Sequence, residues 1–307
     1  MDKADASASQ TDSTMSNSIV KDIKELFKLI VLISNVLPVF TGFWLALYFN
    51  DMAFTDHWGL FVTTMIGSTL VMAGALVLNN WYEVDLDTVM KRTQARPTVT
   101  GRISLRSVLL LGIVLSVAGI IVLLFTTLEA ALYAFIGWFI YVVLYTMWMK
   151  RKYTLNTVIG SVSGAVTPLI GWAVIAPANH IVPIVLFFVL FIWQIPHTFS
   201  IAIKRYDEYK AANVAMLPVV YGFPFTKRQM LVYIVCLLPI PFLLASLGTT
   251  FMVIATIMNV GWLILAIQGF SAKDNWKWAH KNFIYSLSYL TIFFLLMIIV
   301  TLPVFSS

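Results

Sequence analysis

The chain has 307 residues, of which 60% are hydrophobic and only 11% are charged. That composition excludes an ordinary soluble enzyme and indicates a polytopic membrane protein. The net charge of +6 lies in short basic clusters without a soluble binding module, which argues against nucleic acid as a partner.

The first 28 residues are the polar exception. They lack a basic segment followed by an apolar stretch and a cleavage site, so they do not have the pattern of a signal peptide. Their small polar residues predict a disordered tail, retained in the cytosol. Residues 29–307 are then expected to form one transmembrane domain.

Nine segments of that domain are long and apolar enough to cross a bilayer, which takes about 20 residues. They are 29–49, 58–80, 105–125, 129–149, 155–176, 181–203, 230–247, 251–270 and 282–303. The predicted fold class is therefore all-α, a polytopic membrane protein with nine transmembrane helices.

The distribution of charge predicts the orientation of these helices. All 20 Lys and Arg residues fall in the N-terminal segment or in the loops after spans two, four, six and eight. The opposite face carries only Asp51, Asp56 and Glu129. Because basic loops stay on the cytoplasmic side, we expect a multi-pass protein of a bacterial-type cell membrane with a cytoplasmic N-terminus and acidic loops on that side.

The most informative motif is an oxygen-rich stripe where span two ends. Asn79, Glu83 and Asp87 are four residues apart, so a helix would place them on one face, over about 12 Å. That length is too great for one ion, but it suits Mg²⁺ bound together with an extended diphosphate. Arg92 and Arg96 follow and are expected to bind phosphate oxygens, because guanidinium groups match them in shape and charge.

A second polar group lies in the loop after span six. Lys204 is a candidate for binding phosphate there, and Asp207 and Glu208 are candidates for a second metal site facing Glu83 and Asp87. Solvated loop charge is the alternative for the two carboxylates.

Other polar residues lie at the ends or inside of the spans. Lys150, after span four, is a candidate for diphosphate binding or a topology anchor, and Asn156 is the better polar contact nearby. Gln194 and His197 lie at membrane depth, where His197 is a candidate iron ligand, hydrogen-bond donor or proton shuttle. Arg102 is expected mainly to anchor its loop.

Three segments carry a resemblance to the UbiA superfamily of intramembrane prenyltransferases, over about residues 25–303. They are NNWYEVDLDTVMKRTQARPTVTG, YTMWMKRKYTLNTVIGSVSGAVTPLIGW and FIWQIPHTFSIAIKRYDEYKAANVAMLPVVYG. The third segment is similar to the branch that modifies heme, the heme O synthases or protoheme IX farnesyltransferases. The chain departs from the family by having Glu at 83 and 208 where Asp is usual, and Thr167-Pro168 in place of Pro-Pro.

The resemblance implies nine helices around a central cavity and a farnesyl transfer from farnesyl diphosphate to the vinyl group of heme b, with water, to give heme O and diphosphate. It implies Mg²⁺ as cofactor, heme b as substrate, the lipid bilayer as surroundings and a heme A synthase as a candidate partner. The residues expected to line the heme and prenyl cavity are Trp81, Tyr145, Asn156, Trp193, Gln194 and His197. Two alternatives remain open at this stage, a prenyltransferase for a quinone precursor and a transporter or lipid-binding scaffold.

Overall fold

The computed structural model describes residues 20–302, which contain helices and connecting turns but no strand. A short helix, α1, covers 20–26. The other helices are α2 (Leu29–Phe49), α3 (Trp58–Tyr82), α4 (Val84–Val89), α5 (Leu105–Leu124), α6 (Leu128–Phe139), α7 (Lys150–Lys152), α8 (Asn156–Ala165), α9 (Thr167–Ala173), α10 (Ile181–Lys204), α11 (Tyr206–Ala211), α12 (Leu217–Cys236), α13 (Ile240–Leu243), α14 (Thr249–Gln268) and α15 (Asn275–Val300).

The helix at 20–26 lies inside the segment predicted to be a disordered tail. Leu26 is buried there against Val77 and Val108, so the hydrophobic effect holds this part of the N-terminal segment on the helix bundle. The remainder of the predicted tail, residues 1–19, lies outside the described residues. The prediction that the tail extends to residue 28 is therefore wrong for residues 20–26, which are helical.

Eight helical stretches within 20–302 are long and apolar enough to cross a membrane. The one predicted span missing from these eight is the fifth, 155–176, which is broken into α8 and α9 at Val166. Pro168 lies in the first turn of α9, where a proline is tolerated because its missing N–H would have no partner in the helix anyway. Counting this broken span, the described part of the chain has the nine-helix architecture that the sequence predicts.

Several helix starts carry a side-chain cap of the expected kind. Ser104 accepts a hydrogen bond from the Ser107 backbone N–H at 3.1 Å, and Asp274 accepts one from Lys277 at 3.0 Å. Such caps satisfy backbone donors that the first turn leaves free. They set where α5 and α15 begin at the edge of the bundle.

Close contact between α2 and α9 depends on two glycines. A Cβ on Gly171 would lie 1.9 Å from the Val39 carbonyl oxygen, and one on Gly42 would lie 2.1 Å from that of Pro168. Small residues permit such backbone contact between membrane helices. This packing sets the distance between two walls of the central cavity.

A π-helical segment, Ile140–Met149, continues from α6. Its wider turn is shown by the Lys150 backbone N–H, which donates to the carbonyl of Tyr145, five residues earlier. Segments of this type are rare and occur often at functional sites, because they rotate side chains out of the regular α-helical positions. Here the segment ends next to the acidic stripe.

Candidate active site

The stripe at the end of α3 keeps its helical spacing although the helix is interrupted at Glu83. The Glu83 backbone N–H donates to the Asn79 carbonyl at 3.0 Å, and the Asp87 N–H donates to the Glu83 carbonyl at 2.9 Å. The ladder therefore continues into α4 and brings the three side chains to one face. All three are buried, with at most 4% of their surface exposed.

Each of the three side chains in the stripe accepts a hydrogen bond, through an oxygen atom, from a different basic side chain. The Lys28 ammonium, just before α2, donates to Asn79 Oδ1. Lys150 Nζ lies 2.5 and 2.6 Å from the two carboxylate oxygens of Glu83. Arg96 Nη1 lies 2.5 Å from Asp87 Oδ2. Burial of these carboxylates is thus offset by paired charge.

All of these groups except Asn79 line a small polar pocket at one end of the bundle. Its lining residues are Lys28, Glu83, Leu86, Asp87, Met90, Arg92, Arg96, Lys150 and Tyr209. Four of them are basic and two are acidic, so the pocket has an excess of positive charge. Such a pocket is suited to a polyanion bound alongside carboxylate-held metal.

The electrostatics of the pocket appear in two pKa shifts. Burial, reinforced by repulsion from Arg96, lowers the pKa of the Lys28 ammonium to about 7. Burial by itself raises the pKa of the Glu83 carboxyl, but the charges of Lys150 and Lys28 outweigh it and hold that pKa below its usual value. Glu83 is therefore an anion at neutral pH, as a metal ligand must be.

An apolar cavity begins about one helical turn deeper in the bundle. Leu76, three residues before Asn79, lines it, and so does Tyr141, whose ring centroid is 5.7 Å from that of Tyr145. Residues of α2, α3, α6, α8, α9 and α10 form the wall, with Gln194 as a polar member. The apolar cavity thus lies below the polyanion pocket. An amphiphilic substrate with a charged head in that pocket could extend its apolar tail into this cavity.

The volume of the apolar cavity is about 120 Å³. Ligand sites for small molecules usually enclose roughly 300–1,000 Å³, so bulky substrates require the surrounding helices or side chains to move apart. The broken span α8–α9 and the π-helical segment both border the cavity. Neither has the regular backbone hydrogen bonding of an uninterrupted α-helix.

Asp207 and Glu208 are not brought to this pocket. Asp207 lines a separate cavity together with Lys204, and Glu208 accepts a hydrogen bond from Arg205 at 2.8 Å. Tyr209 reaches the polar pocket from α11 instead. Successive residues of a helix are rotated by about 100°, so Asp207 and Tyr209 face nearly opposite directions once α11 is docked through Tyr209.

The predicted five-ligand metal set, Asn79, Glu83, Asp87, Asp207 and Glu208, is thus divided in the structure. Within 20–302 no group of three or more His, Cys, Asp or Glu side chains is close enough to hold a metal. The donors that do share a face are one amide and two carboxylates, which are hard oxygen ligands of the type Mg²⁺ prefers. They fit a metal that is completed by oxygens of a bound phosphate.

The predicted diphosphate-binding residues also separate into two groups. Arg92, Arg96 and Lys150 line the polar pocket, whereas Lys204 lies with its ammonium 4.3 Å from the centre of the Phe283 ring. That contact is a cation–π interaction at the end of α10.

The predicted cavity residues have more varied positions. Tyr145 lies beside the polar pocket, with its ring 5.6 Å from Lys150 Nζ. Asn156 donates to the carbonyls of Lys150 and Ala215, both at 3.1 Å, and so ties two connecting segments together. Trp81 packs in a cluster with Leu26, away from the apolar cavity.

Trp193 and His197 face α15. Their rings are stacked 4.7 Å apart, the Trp193 indole N–H donates to the Ser286 carbonyl at 2.8 Å, and His197 Nδ1 shares a hydrogen bond with Ser286 Oγ at 2.8 Å. Neither lines the apolar cavity that contains Gln194. The interpretation of His197 as a hydrogen-bonding residue agrees with this contact.

The sequence pattern predicted no site role for Lys28 or Tyr141, and Tyr209 was only a member of the polar group after span six, without a role of its own. Lys28 has the pattern of a topology anchor before a first span, and tyrosines near a membrane surface are common. A π-helical segment has no reliable sequence signature, so the direction of Tyr141 was not predictable.

Comparison with known proteins agrees with this fold. The chain matches the UbiA prenyltransferase family over residues 35–287. A protoheme IX farnesyltransferase of Oceanobacillus iheyensis is 55% identical over 286 residues, which are 93% of this chain and 91% of that protein. One of Bacillus cereus (strain G9842) is 53% identical over 283 residues, 92% of each chain.

Solved structures share the fold at much lower identity. A digeranylgeranylglyceryl phosphate synthase superposes with a TM-score of 0.73 at 17% identity, covering 92% of this chain and 98% of that one. A UbiA homologue of Archaeoglobus fulgidus bound to DMAPP and Mg²⁺ gives a TM-score of 0.64 at 16% identity, covering 90% and 99%. With its helical fold and its carboxylate-lined cationic pocket, this chain belongs to the UbiA prenyltransferase family.

Proposed function

We propose that the chain transfers the farnesyl group of farnesyl diphosphate to a vinyl group of heme b, with addition of water, to give heme O and diphosphate. The observation that carries the proposal is the identity of 53–55% with protoheme IX farnesyltransferases over about nine-tenths of each chain. The cationic pocket above an apolar cavity agrees with an amphiphilic diphosphate donor.

The residues of the polar pocket have a direct task in this reaction. When bound, Mg²⁺ would neutralise the diphosphate and improve it as a leaving group. Asn79, Glu83 and Asp87 would hold the metal, and Arg92, Arg96 and Lys150 would bind the phosphate oxygens that the metal leaves free. Both sets favour departure of diphosphate, because the developing negative charge meets preorganised donors.

The deeper part of the site would guide the farnesyl group. As the bond from carbon to the diphosphate oxygen breaks, the allylic carbon becomes positive, and aromatic faces such as Tyr145 are suited to stabilise it. A new carbon–carbon bond then forms with the heme vinyl group, and water supplies the hydroxyl group to the other vinyl carbon with release of a proton. The apolar walls keep water from the cation before the vinyl group reaches it.

We further propose that the site faces the cytoplasm of a bacterial-type cell. All the Lys and Arg residues lie in the N-terminal segment or in loops of a single side by the predicted topology, and the polar pocket is built from the same segments. Both water-soluble diphosphate and Mg²⁺ are thereby accessible to the site.

The test is mass-resolved chromatography of hemes from membranes of a host that lacks heme O and expresses the full chain. A new heme, heavier than heme b by a farnesyl group and a hydroxyl group, is the expected result. Cells that express the Asp87→Asn variant at equal membrane levels are the matched control. Unchanged heme b with a newly prenylated quinone precursor would overturn the proposal in favour of a different acceptor.

A further inference from the structure

The N-terminal helix α1 lies across the end of the bundle that contains the polar pocket. Its last turn is held by Asn80, whose side-chain amide donates to the Leu26 carbonyl at 2.7 Å, and by the buried Leu26 side chain. Asn80 follows Asn79, the first residue of the acidic stripe, directly in the sequence. The end of α1 is therefore attached directly to the helix that carries the site.

A second attachment joins α1 to the loop after α4. The Arg102 guanidinium donates from Nε to Asp22 Oδ2 at 2.8 Å and from Nη2 to Asp22 Oδ1 at 2.5 Å, and Nη2 also donates to the Ala95 carbonyl at 3.0 Å. The two parallel bonds form the fork-shaped pairing that orients Arg and carboxylate most strictly. Ala95 is the residue before Arg96, so the pair holds the loop as well as the helix.

Lys28 enters the pocket from an unusual backbone conformation. Its φ of 46° and ψ of 53° are left-handed, in the two-residue turn between α1 and α2. Residues other than glycine adopt this region only where the surrounding structure compensates its cost. The attachments of α1 through Asn80 and Asp22 are the surroundings that hold this turn.

We propose that Asp22 and Arg102 form a positioning clasp for the polyanion pocket, a role that rests on the proposed use of this pocket for a prenyl diphosphate. The clasp presets Lys28 on one side of the pocket and Arg96 on the other. Neither clasp residue lines the pocket, so both act through the residues that do. The ligand class recognised by the preset cations is a magnesium-bound diphosphate.

The clasp is more buried at Asp22 than an ordinary surface ion pair, although the Arg102 side chain is 43% exposed. Asp22 is 8% exposed although it lies in a short terminal helix, and its partner is 80 residues away in the chain. A comparable carboxylate, Asp274, is paired with Lys277 at 3.8 Å on the surface within one helical turn. Asp22→Asn and Asp274→Asn each replace a carboxylate by an amide. Comparing the two variants therefore separates an effect on pocket geometry from the effect of losing one negative charge.

The test measures binding of a non-hydrolysable farnesyl thiodiphosphate, with Mg²⁺, to the purified full chain in detergent. We expect Asp22→Asn to raise the Kd about tenfold. Asp274→Asn should bind like the wild type, since Asn also caps a helix. Asp22→Glu, which keeps the carboxylate and leaves Arg102 donating to the Ala95 carbonyl, should retain most of the wild-type affinity.

Two further readouts separate positioning from folding. Thermal unfolding of every variant shows whether it is intact, and a loss of affinity in an intact variant supports the clasp. In steady-state turnover, the loss should appear in KM for farnesyl diphosphate more than in kcat. Wild-type affinity in Asp22→Asn, or an equal loss of affinity in Asp22→Glu, would overturn the clasp alone. If the wild-type chain itself does not bind the thiodiphosphate, the proposed function is overturned and the clasp with it.

Discussion

Replacing Asp87 by Asn removes one negative charge from the polar pocket with almost no change in side-chain shape. The carboxylate lies 2.5 Å from the Arg96 guanidinium, and the two side chains are only 5% and 11% exposed. We expect heme O formation to fall by about 10²–10³-fold, the effect typical of losing one group that stabilises charge in a transition state. The corresponding increase in the activation barrier is about 3–4 kcal/mol.

The stability of the variant should change much less than its turnover. Two unit charges about 4 Å apart attract each other by about 4 kcal/mol at an effective dielectric constant near 20, but much of that is offset by the cost of desolvating both groups. Asn retains an oxygen that can accept from Arg96, so we expect a loss of about 1–2 kcal/mol in the free energy of unfolding, within the range of one hydrogen bond to a charged group. Proteins with a stability of about 5–15 kcal/mol remain folded after such a loss.

The assay combines heme O formed per molecule of purified enzyme with thermal unfolding in the same detergent. Asn is a sharper probe than Ala at this position, because Ala would leave the buried guanidinium without this acceptor at a cost of about 3–5 kcal/mol. Heme O formation by Asp87→Asn at the wild-type rate would refute the assignment of this carboxylate. Loss of the folded protein together with activity would refute the separation of stability from function.

Other changes test neighbouring parts of the argument. Asp85 lies two residues before Asp87, and its exposed carboxylate is paired with Arg151. Because exposed ion pairs contribute about 0–1 kcal/mol, Asp85→Asn should change turnover by less than about threefold. A loss of turnover as large as that of the Asp87 variant would contradict the role of the stripe. Gly171→Ala should lower stability by about 1–3 kcal/mol or more because its Cβ would meet the Val39 carbonyl, whereas Gly59→Ala, with open space, should not; thermal unfolding distinguishes them, and equal melting would be the contrary result. Exhaustive chelation should abolish turnover and added Mg²⁺ should restore it, whereas full turnover in the chelated enzyme would exclude a metal requirement.

Much of the fold was predictable because the bilayer imposes simple rules on a sequence. Each span must be apolar over a fixed length, and backbone groups in lipid must be paired within the segment, so nine apolar stretches predict nine helical crossings. The break at Val166 was not predicted, since an apolar segment with Pro168 is also compatible with a single kinked helix. Hydropathy measures the burial of a segment and does not report where its hydrogen-bond ladder is interrupted.

The site was predictable only where its contacts are local in sequence. Glu83 and Asp87 lie on one face because four residues advance a helix by slightly more than one turn. The prediction that Asp207 and Glu208 face them was not met, because the chain turns at Arg205 and presents Tyr209 to the pocket. Backbone conformation at one residue decided which side of α11 reaches the site.

The sequence by itself determined the class of protein, the number of crossings and the oxygen-rich stripe, since each follows from composition or from helical period. Only the tertiary structure decided which cations meet that stripe. Lys28 and Asn79 are 51 residues apart, Lys150 and Glu83 are 67 apart, and Asp22 and Arg102 are 80 apart. Contacts over such separations depend on how the helices pack, and packing depends on shape complementarity among many apolar side chains at once, which no local pattern in the sequence records.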